Sequence, residues 1–511
     1  MDLPNNINEV GKKCDFETAL NITGFGKYNL TQLVICCLLI LAMYIDIFGF
    51  SVALPSVACD MQLNTAQQGL LSAVPLIGVM ISSYAWGLCA DTLGRRTTLL
   101  VAMPVGMLLN LGASLAPNYA ALAALKFFSA GFTSSANAAG FVLLGESVPG
   151  RFRGRFMFLM ASATMYVQFI ICVIALPITS TSFTIDVSWL GLTYRPWRLL
   201  LQVICIPGIV GAISMFFLKE SPKFLLSKGK EEDAIHVLRV IYRWNRGLDR
   251  DTYPVKSIFL EETAMPDNGH VSFMRKMWNQ TAPLFQPPLL KNSLKLYYIL
   301  LCAYMTSTGY TMWVPTMTNA YFDGEDRTGK VFCEVASTAA TSSNDTSITD
   351  CDSVIKPMTL YAVMCYSGIS GTLNIMLTFI VGPLGKRTTT VLVFAIAIVC
   401  GVVLLFIRIP VMSIALFYFF LYVALILGNV NTYLVELNPT YLRGMATCLS
   451  VVVARGFGFF SVQLIASLLA DHCTPMIAGY IVLIASGLLV SFFLPPDKPT
   501  SNRESIETTK L

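Results

Sequence analysis

One signature occurs twice in this chain, about 290 residues apart. The first copy reads Gly94-Arg95-Arg96-Thr97-Thr98, followed by Glu146, Pro149, Arg153 and Gly154. The second reads Gly385-Lys386-Arg387-Thr388-Thr389, followed by Glu436, Pro439, Arg443 and Gly444. In each copy the E-x-x-P-x-x-x-R-G element comes directly after a long apolar stretch. A duplication on this scale demands two halves of one architecture, with equivalent loops at one end of each half.

Composition says what solvent those halves need. Of 511 residues, 55% are hydrophobic and 13% charged. A soluble chain carries about 25% charged residues. The excess apolar surface requires lipid, and a duplicated, lipid-embedded chain is expected to be a two-bundle transporter of small solutes. The net charge of +5 is too modest to suggest a nucleic-acid partner. The chain is polar up to about Asn29 without a cleavable signal, so the first apolar helix is expected to direct insertion. Most of the fourteen cysteines, Cys36, Cys37, Cys205 and Cys400 among them, lie in apolar runs and read as small core residues. No metal site, cofactor or enzymatic centre is expected. The absence of a phosphate-binding Walker sequence argues against ATP-driven pumping.

Apolar runs near 31–54, 66–89, 97–115, 119–144, 156–178 and 198–218 form one set, and 293–316, 358–381, 388–407, 411–435, 445–470 and 475–494 the other. Each can cross a ~30 Å hydrocarbon layer as a helix. The expected fold is an all-α membrane protein, twelve transmembrane helices in two pseudo-symmetric six-helix bundles. Its parts are an N-terminal tail (1–30), a bundle (31–218), a linker with amphipathic helices (219–292), a second bundle (293–494) with an outer loop at 317–357, and a C-terminal tail (495–511). With both termini cytosolic, only Arg195, Arg327, Lys330, Lys356 and Arg408 of the basic loop residues fall outside, which is the asymmetry that sets topology. This orientation leaves plasma membrane and intracellular vesicle equally open. It places Asn344-Asp345-Thr346 outside, as an N-glycosylation acceptor. Cys333 and Cys351 share that outer loop and are expected to form a disulfide, with Cys59 and Cys473 as rival partners. The final Thr509-Lys510-Leu511 fits a ligand for a PDZ protein. The chain is otherwise expected to act as a monomer.

Gly87-Leu88-Cys89-Ala90-Asp91-Thr92-Leu93-Gly94-Arg95-Arg96 resembles the loop between helices 2 and 3 of the major facilitator superfamily, G-x-x-x-D-R-x-G-R-R, departing from it at Thr92. Glu220-Ser221-Pro222-Lys223-Phe224-Leu225-Leu226 resembles the segment after helix 6 in its sugar and organic-ion branches, with Lys219 in place of a leading proline. Phe25-Gly26-Lys27-Tyr28 is similar to the start of synaptic vesicle glycoprotein 2 and its relatives. The resemblance implies alternating access around a midplane site, with Gly87, Asp91, Gly94, Arg95, Arg96, Glu146, Arg153, Glu436 and Arg443 in a cytosolic gate. Asp91 is then expected to face the start of helix 11, near Met445, and Arg153 to fold back toward Glu146. The competing expectation is a membrane glycoprotein that has lost transport and serves as a receptor or trafficking partner.

Three charges lie well inside spans, away from the ends. An ionised Asp46 at midspan costs at least about 2.5 kcal/mol. It is therefore expected to face the cavity, pair with a cation such as Lys126, or bind a proton and couple it to transport. Lys126 stands where the branch usually has arginine and is a candidate substrate or coupling residue, the alternative being a cation close enough to the outer end to snorkel to the surface. Arg455, about ten residues into helix 11, is the deepest cation of the second half, and organic-ion relatives place a cavity-facing cation in this region. Aromatics crowd helix 7, and Tyr310 and Trp313 are candidate solute contacts through cation–π attraction.

Overall fold

The computed structural model describes residues 14–495 apart from 182, 188–191, 260–280, 288, 324–329, 337–354, 439 and 470. Twelve long helices dominate it. The first six are α1 (Lys27–Asp60), α2 (Thr65–Leu93), α3 (Arg95–Ser114), α4 (Tyr119–Ser147), α5 (Gly150–Met165 and Val167–Thr179, bent by 42°) and α6 (Pro196–Phe217). The second six are α7 (Leu290–Asp323), α8 (Pro357–Leu384), α9 (Lys386–Leu404), α10 (Val411–Leu434), α11 (Thr440–Leu468) and α12 (Cys473–Ser491).

Eleven of these, counting bent α5 as one, are long and apolar enough to cross a membrane. The twelfth, α7, is 34 residues long but less apolar. Its Thr306, Ser307, Thr308, Thr318 and Asn319 are all buried. Helix α7 therefore turns a polar face toward other helices rather than toward lipid, which lowers its hydropathy without shortening it.

Each half is one bundle. In the first, α1 packs on α6, and α4 on α2 and α3; in the second, α7 packs on α11 and α12, and α9 on α10 and α12. The bundles meet through α2 with α11, α5 with α8, and the Phe50–Asp60 half of α1 with α7. Two spans contain a π-helical turn, Ile45–Gly49 in α1 and Ala136–Gly140 in α4. Such turns shift the helical face by one residue and concentrate at functional sites.

One end of the molecule carries both signature loops and the linker and is here called the basic end. There the linker helix Glu231–Arg246 buries Ala234, Val237, Leu238 and Ile241 along one face. Residues Phe16–Ile22 are also helical, preceded by a strand at Cys14–Asp15 that pairs in parallel with Ile258–Phe259. Phe16, Ala19 and Leu20 join Leu238, Tyr242, Tyr253 and Ile258 in a small second core. Burial pushes the Tyr253 phenol above its ordinary value, and its hydroxyl donates to the Ala19 carbonyl at 2.8 Å. The expected N-terminal tail is thus partly a folded brace.

At the opposite end a disulfide joins Cys333 to Cys473, at the start of α12. The expected Cys333–Cys351 pairing is therefore corrected: both cysteines of the observed bond project from the second bundle, and Cys473 was the rival partner. Cys59 is also disulfide-bonded. Cys351, Asn344 and Thr509-Lys510-Leu511 lie outside the described residues.

Candidate functional site

The signature loops act first as helix caps. Gly94 adopts φ +111°, and a Cβ there would lie 2.5 Å from Glu220 Oε2. Glycine is thus required for the close approach of the Glu220 carboxylate to the start of α3. That carboxylate accepts from the Arg96 amide at 3.0 and 3.1 Å and from the Thr97 amide at 3.3 Å. An acid at a helix N-terminus satisfies orphan donors and opposes the macrodipole, typically worth 0.3–1 kcal/mol at exposed sites and more when part-buried.

The second basic residue of each copy does the same job in its own bundle. Arg96 donates to the Met215 and Phe216 carbonyls, at 3.4 and 3.2 Å, where α6 ends. Arg387 donates to the Phe492 carbonyl at the end of α12. The duplication thus has a physical reading: each basic pair ties its loop to the last helix of its own half.

Arg95 gathers the first-half acids. It bonds Asp91 at 3.1 Å and Glu146 at 3.2 Å, donates to the Ala90 carbonyl, and lies 4.8 Å above the Phe224 ring. Ser221 also donates to the Glu146 carboxylate, at Oε2, and caps the short helix Pro222–Ser227. Arg153 does not return to Glu146 as expected. Its guanidinium reaches Glu17 at 2.7 Å, because the folded brace supplies an acid and Arg95 already occupies Glu146. Gly87 lies one turn before Asp91 near the end of α2. Asp91 is 70% exposed, with its carboxylate held inside its own loop. The side chains of Glu436, Arg443 and Met445 lie outside those described.

Asp46 and Lys126 form a closed network within the first bundle. Their side chains are 0% and 1% exposed and joined as an ion pair. Asp46 also accepts from Ser129 at 2.6 Å and Thr133 at 3.1 Å; Lys126 also donates to the Asp46 carbonyl at 2.8 Å and Asn110 at 3.2 Å. A buried ion pair is tolerable only when its remaining lone pairs and protons are so satisfied. Of the open alternatives for Asp46, the structure shows the pairing with Lys126.

Arg455 is the opposite case. It is 5% exposed, and among the described residues its Nε is buried without a hydrogen-bond partner and no acid pairs with it. Its guanidinium crosses from α11 to α1 and lies 5.4 Å from the Tyr44 ring and 5.8 Å from the Phe48 ring. Those two rings stack at 5.8 Å across the π-helical turn of α1. The same turn carries Asp46 toward α4 and presents Tyr44 and Phe48 to α11. Cation–π contacts give about 0.5–2 kcal/mol each, comparable in sum to the roughly 2.5–3.5 kcal/mol of a charge at membrane depth, but the rings leave the Nε donor without a hydrogen-bond acceptor.

Tyr310 and Trp313 do not join Arg455. Tyr310 is enclosed by Phe417, Phe420 and Tyr480 in the core of the second bundle. Trp313 donates to the Val462 carbonyl at 3.3 Å and packs beside Gly69 at the α2–α11 contact. Sequence reading missed Tyr44 and Phe48 as cation contacts and Glu220 as a cap. Spacing offered one signal: Tyr44 and Phe48 are four residues apart and flank Asp46, so one helical face carries both rings.

The bundles seal toward the disulfide end. Gly69 meets Ala466, and Leu76 and Met80 approach Gly458 and Gly456. Gln168 donates to the Thr311 carbonyl at 3.2 Å, and Ser367 to the Met165 carbonyl at 2.7 Å, where α5 breaks. These contacts lie in the middle and toward the disulfide end, while Asp91 at the basic end is exposed.

Three comparisons bear on identity. Residues 36–462 match the family model described as Major Facilitator Superfamily. Synaptic vesicle glycoprotein 2B of Rattus norvegicus is 23% identical over 337 residues, 62% of this chain and 49% of the relative. The putative transporter SVOPL of Mus musculus is 26% identical over 232 residues, 45% of this chain and 44% of the relative. The chain thus spans about half the length of the curated relatives it matches. Among solved structures, the partially occluded inward open conformation of the xylose transporter XylE from E. coli aligns with a TM-score of 0.65 at 15% identity, covering 93% of this chain and 99% of that one. Its inward open conformation gives 0.64 at 14% identity, covering 93% and 98%. At that identity the likeness concerns the fold. With twelve helices in two bundles, a duplicated loop signature and a family model spanning most of its length, this chain belongs to the major facilitator superfamily.

Proposed function

We propose that this protein carries a small organic solute bearing an anionic group, by alternating access between its two bundles. The observation behind the charge assignment is Arg455, a buried guanidinium at the bundle interface with aromatic neighbours and no carboxylate beside it among the described residues. A solute anion would supply the charge-assisted, bidentate hydrogen bonds that the rings cannot. The acid nearest in sequence to Tyr44 and Phe48 is Asp46, which Lys126 already neutralises, so the local charge balance at Arg455 stays positive. On this reading the Asp46–Lys126 pair is an internal clasp between α1 and α4.

Assigning the basic end to the cytosol makes the described state inward-facing: Arg95 and Glu146 hold their own half together, while Asp91 waits for the start of α11. A thermal-shift screen tests the charge assignment. Organic anions should raise the melting temperature of the purified protein, and organic cations of matched size should not. Stabilisation by cations alone would reverse it.

A further inference from the structure

The seal between α2 and α11 is built on small residues. A Cβ on Gly69 would lie 2.5 Å from the Ala466 Cβ, so glycine is what allows this approach. Trp313 of α7 closes a third side, with its Cζ2 atom 3.5 Å from the same point. Gln463 belongs to this contact, with its Oε1 atom 3.7 Å from it. Its Nε2 is buried and has no hydrogen-bond partner among the described residues.

Three other polar side chains along the interface are satisfied. Gln68 donates to the Leu63 carbonyl at 3.0 Å, Gln168 to the Thr311 carbonyl at 3.2 Å, and Trp313 to the Val462 carbonyl at 3.3 Å. Gln463 is different in that its amide gains nothing from the closed contact. When α2 and α11 part, water or a solute group can reach it. An unpaired buried donor penalises only the state in which it is buried.

We propose that Gln463 is a positioning residue of the transport cycle: its unpartnered amide keeps the disulfide-end gate only marginally closed, so that the gate can reopen. This rests on the alternating-access reading but not on the charge of the solute. Gly69 acts in the opposite sense, by letting the helices come close enough to seal.

The test is a distance measurement that needs no solute. Spin labels on unnatural residues at Asn64 and Ser467, both exposed and on opposite sides of the seal, report the closed and open gate as short and long separations. Gln463→Met, which keeps length and removes the polar atoms, should raise the short-to-long ratio about fivefold or more. Gln463→Leu should act in the same direction, which guards against a fault specific to one variant. Gly69→Ala should lower the ratio, and if the long separation is too rare to count in the wild type, the Gln463 comparison is made in the Gly69→Ala background. Ratios within about twofold of the reference for both Gln463 variants overturn the proposal, as does a shift toward the long separation. So does a gate that stays fully closed even with Gly69→Ala. None of these outcomes bears on Arg455, so failure here leaves the anion assignment standing.

Discussion

Neutralising Asp46 should damage the fold before it touches transport. The carboxylate is fully buried and accepts from Lys126, Ser129 and Thr133; Asp46→Asn keeps the shape but removes the charge facing Lys126. Lys126 then retains only neutral partners, the Asp46 carbonyl and Asn110, plus the Phe50 ring at 5.4 Å. Removing one member of a buried pair costs about 3–5 kcal/mol, because the other charge stays behind uncompensated. The Phe50 ring already contacts Lys126 in the wild type and so restores none of this, and the expected loss is about 3–5 kcal/mol. Steric trapping in bicelles reads such differences directly. The double variant Asp46→Asn with Lys126→Met should recover most of the loss, since no charge is then buried. Wild-type stability for Asp46→Asn alone would refute the clasp and return Asp46 to the candidates for proton coupling.

Other regions carry their own tests. Cys473→Ser should free Cys333 for labelling by an impermeant maleimide without reductant; an unlabelled Cys333 would contradict the pairing. Glu220→Ala should lower stability by about 1 kcal/mol through loss of the α3 cap, and Glu220→Gln by less, both measured by thermal unfolding. Gly371→Ala should weaken the α5–α8 contact, because a Cβ there would meet the Tyr166 ring at 2.5 Å; unchanged uptake and stability would show that the ring yields freely.

The spans and their two-fold arrangement were legible because lipid forces each crossing to satisfy its own backbone, leaving a long apolar run as the trace. The least apolar span, α7, was still readable by length. What stayed hidden was set by contacts distant in sequence. Arg153 meets Glu17, 136 positions away, because a short N-terminal helix folds onto the linker. Cys333 finds Cys473, 140 positions away, because the start of α12 lies beside the loop. The break in α5 at Tyr166 is supported by Ser367 of α8, which no local pattern announces. The intramembrane charges could be located in the sequence but not paired. Asp46, Lys126 and Arg455 were each readable as costly, and only the fold distinguishes a satisfied ion pair from a cation with no acid beside it among the described residues.

The central claim is that Arg455 receives the anionic group of a carried solute. The most direct measurement is uptake into proteoliposomes of an organic anion that stabilises the wild-type protein, compared with Arg455→Gln and Arg455→Lys. Losing a charge-assisted, bidentate contact costs roughly 1.5–3 kcal/mol, so Arg455→Gln should weaken apparent affinity about 10- to 150-fold. Arg455→Lys keeps the charge without the fork and should fall between Arg455→Gln and the wild type. Both variants should keep the wild-type melting temperature in the absence of solute, or exceed it in the case of Arg455→Gln, which no longer buries an unpaired charge. Uptake by Arg455→Gln with unchanged affinity and rate would contradict the account.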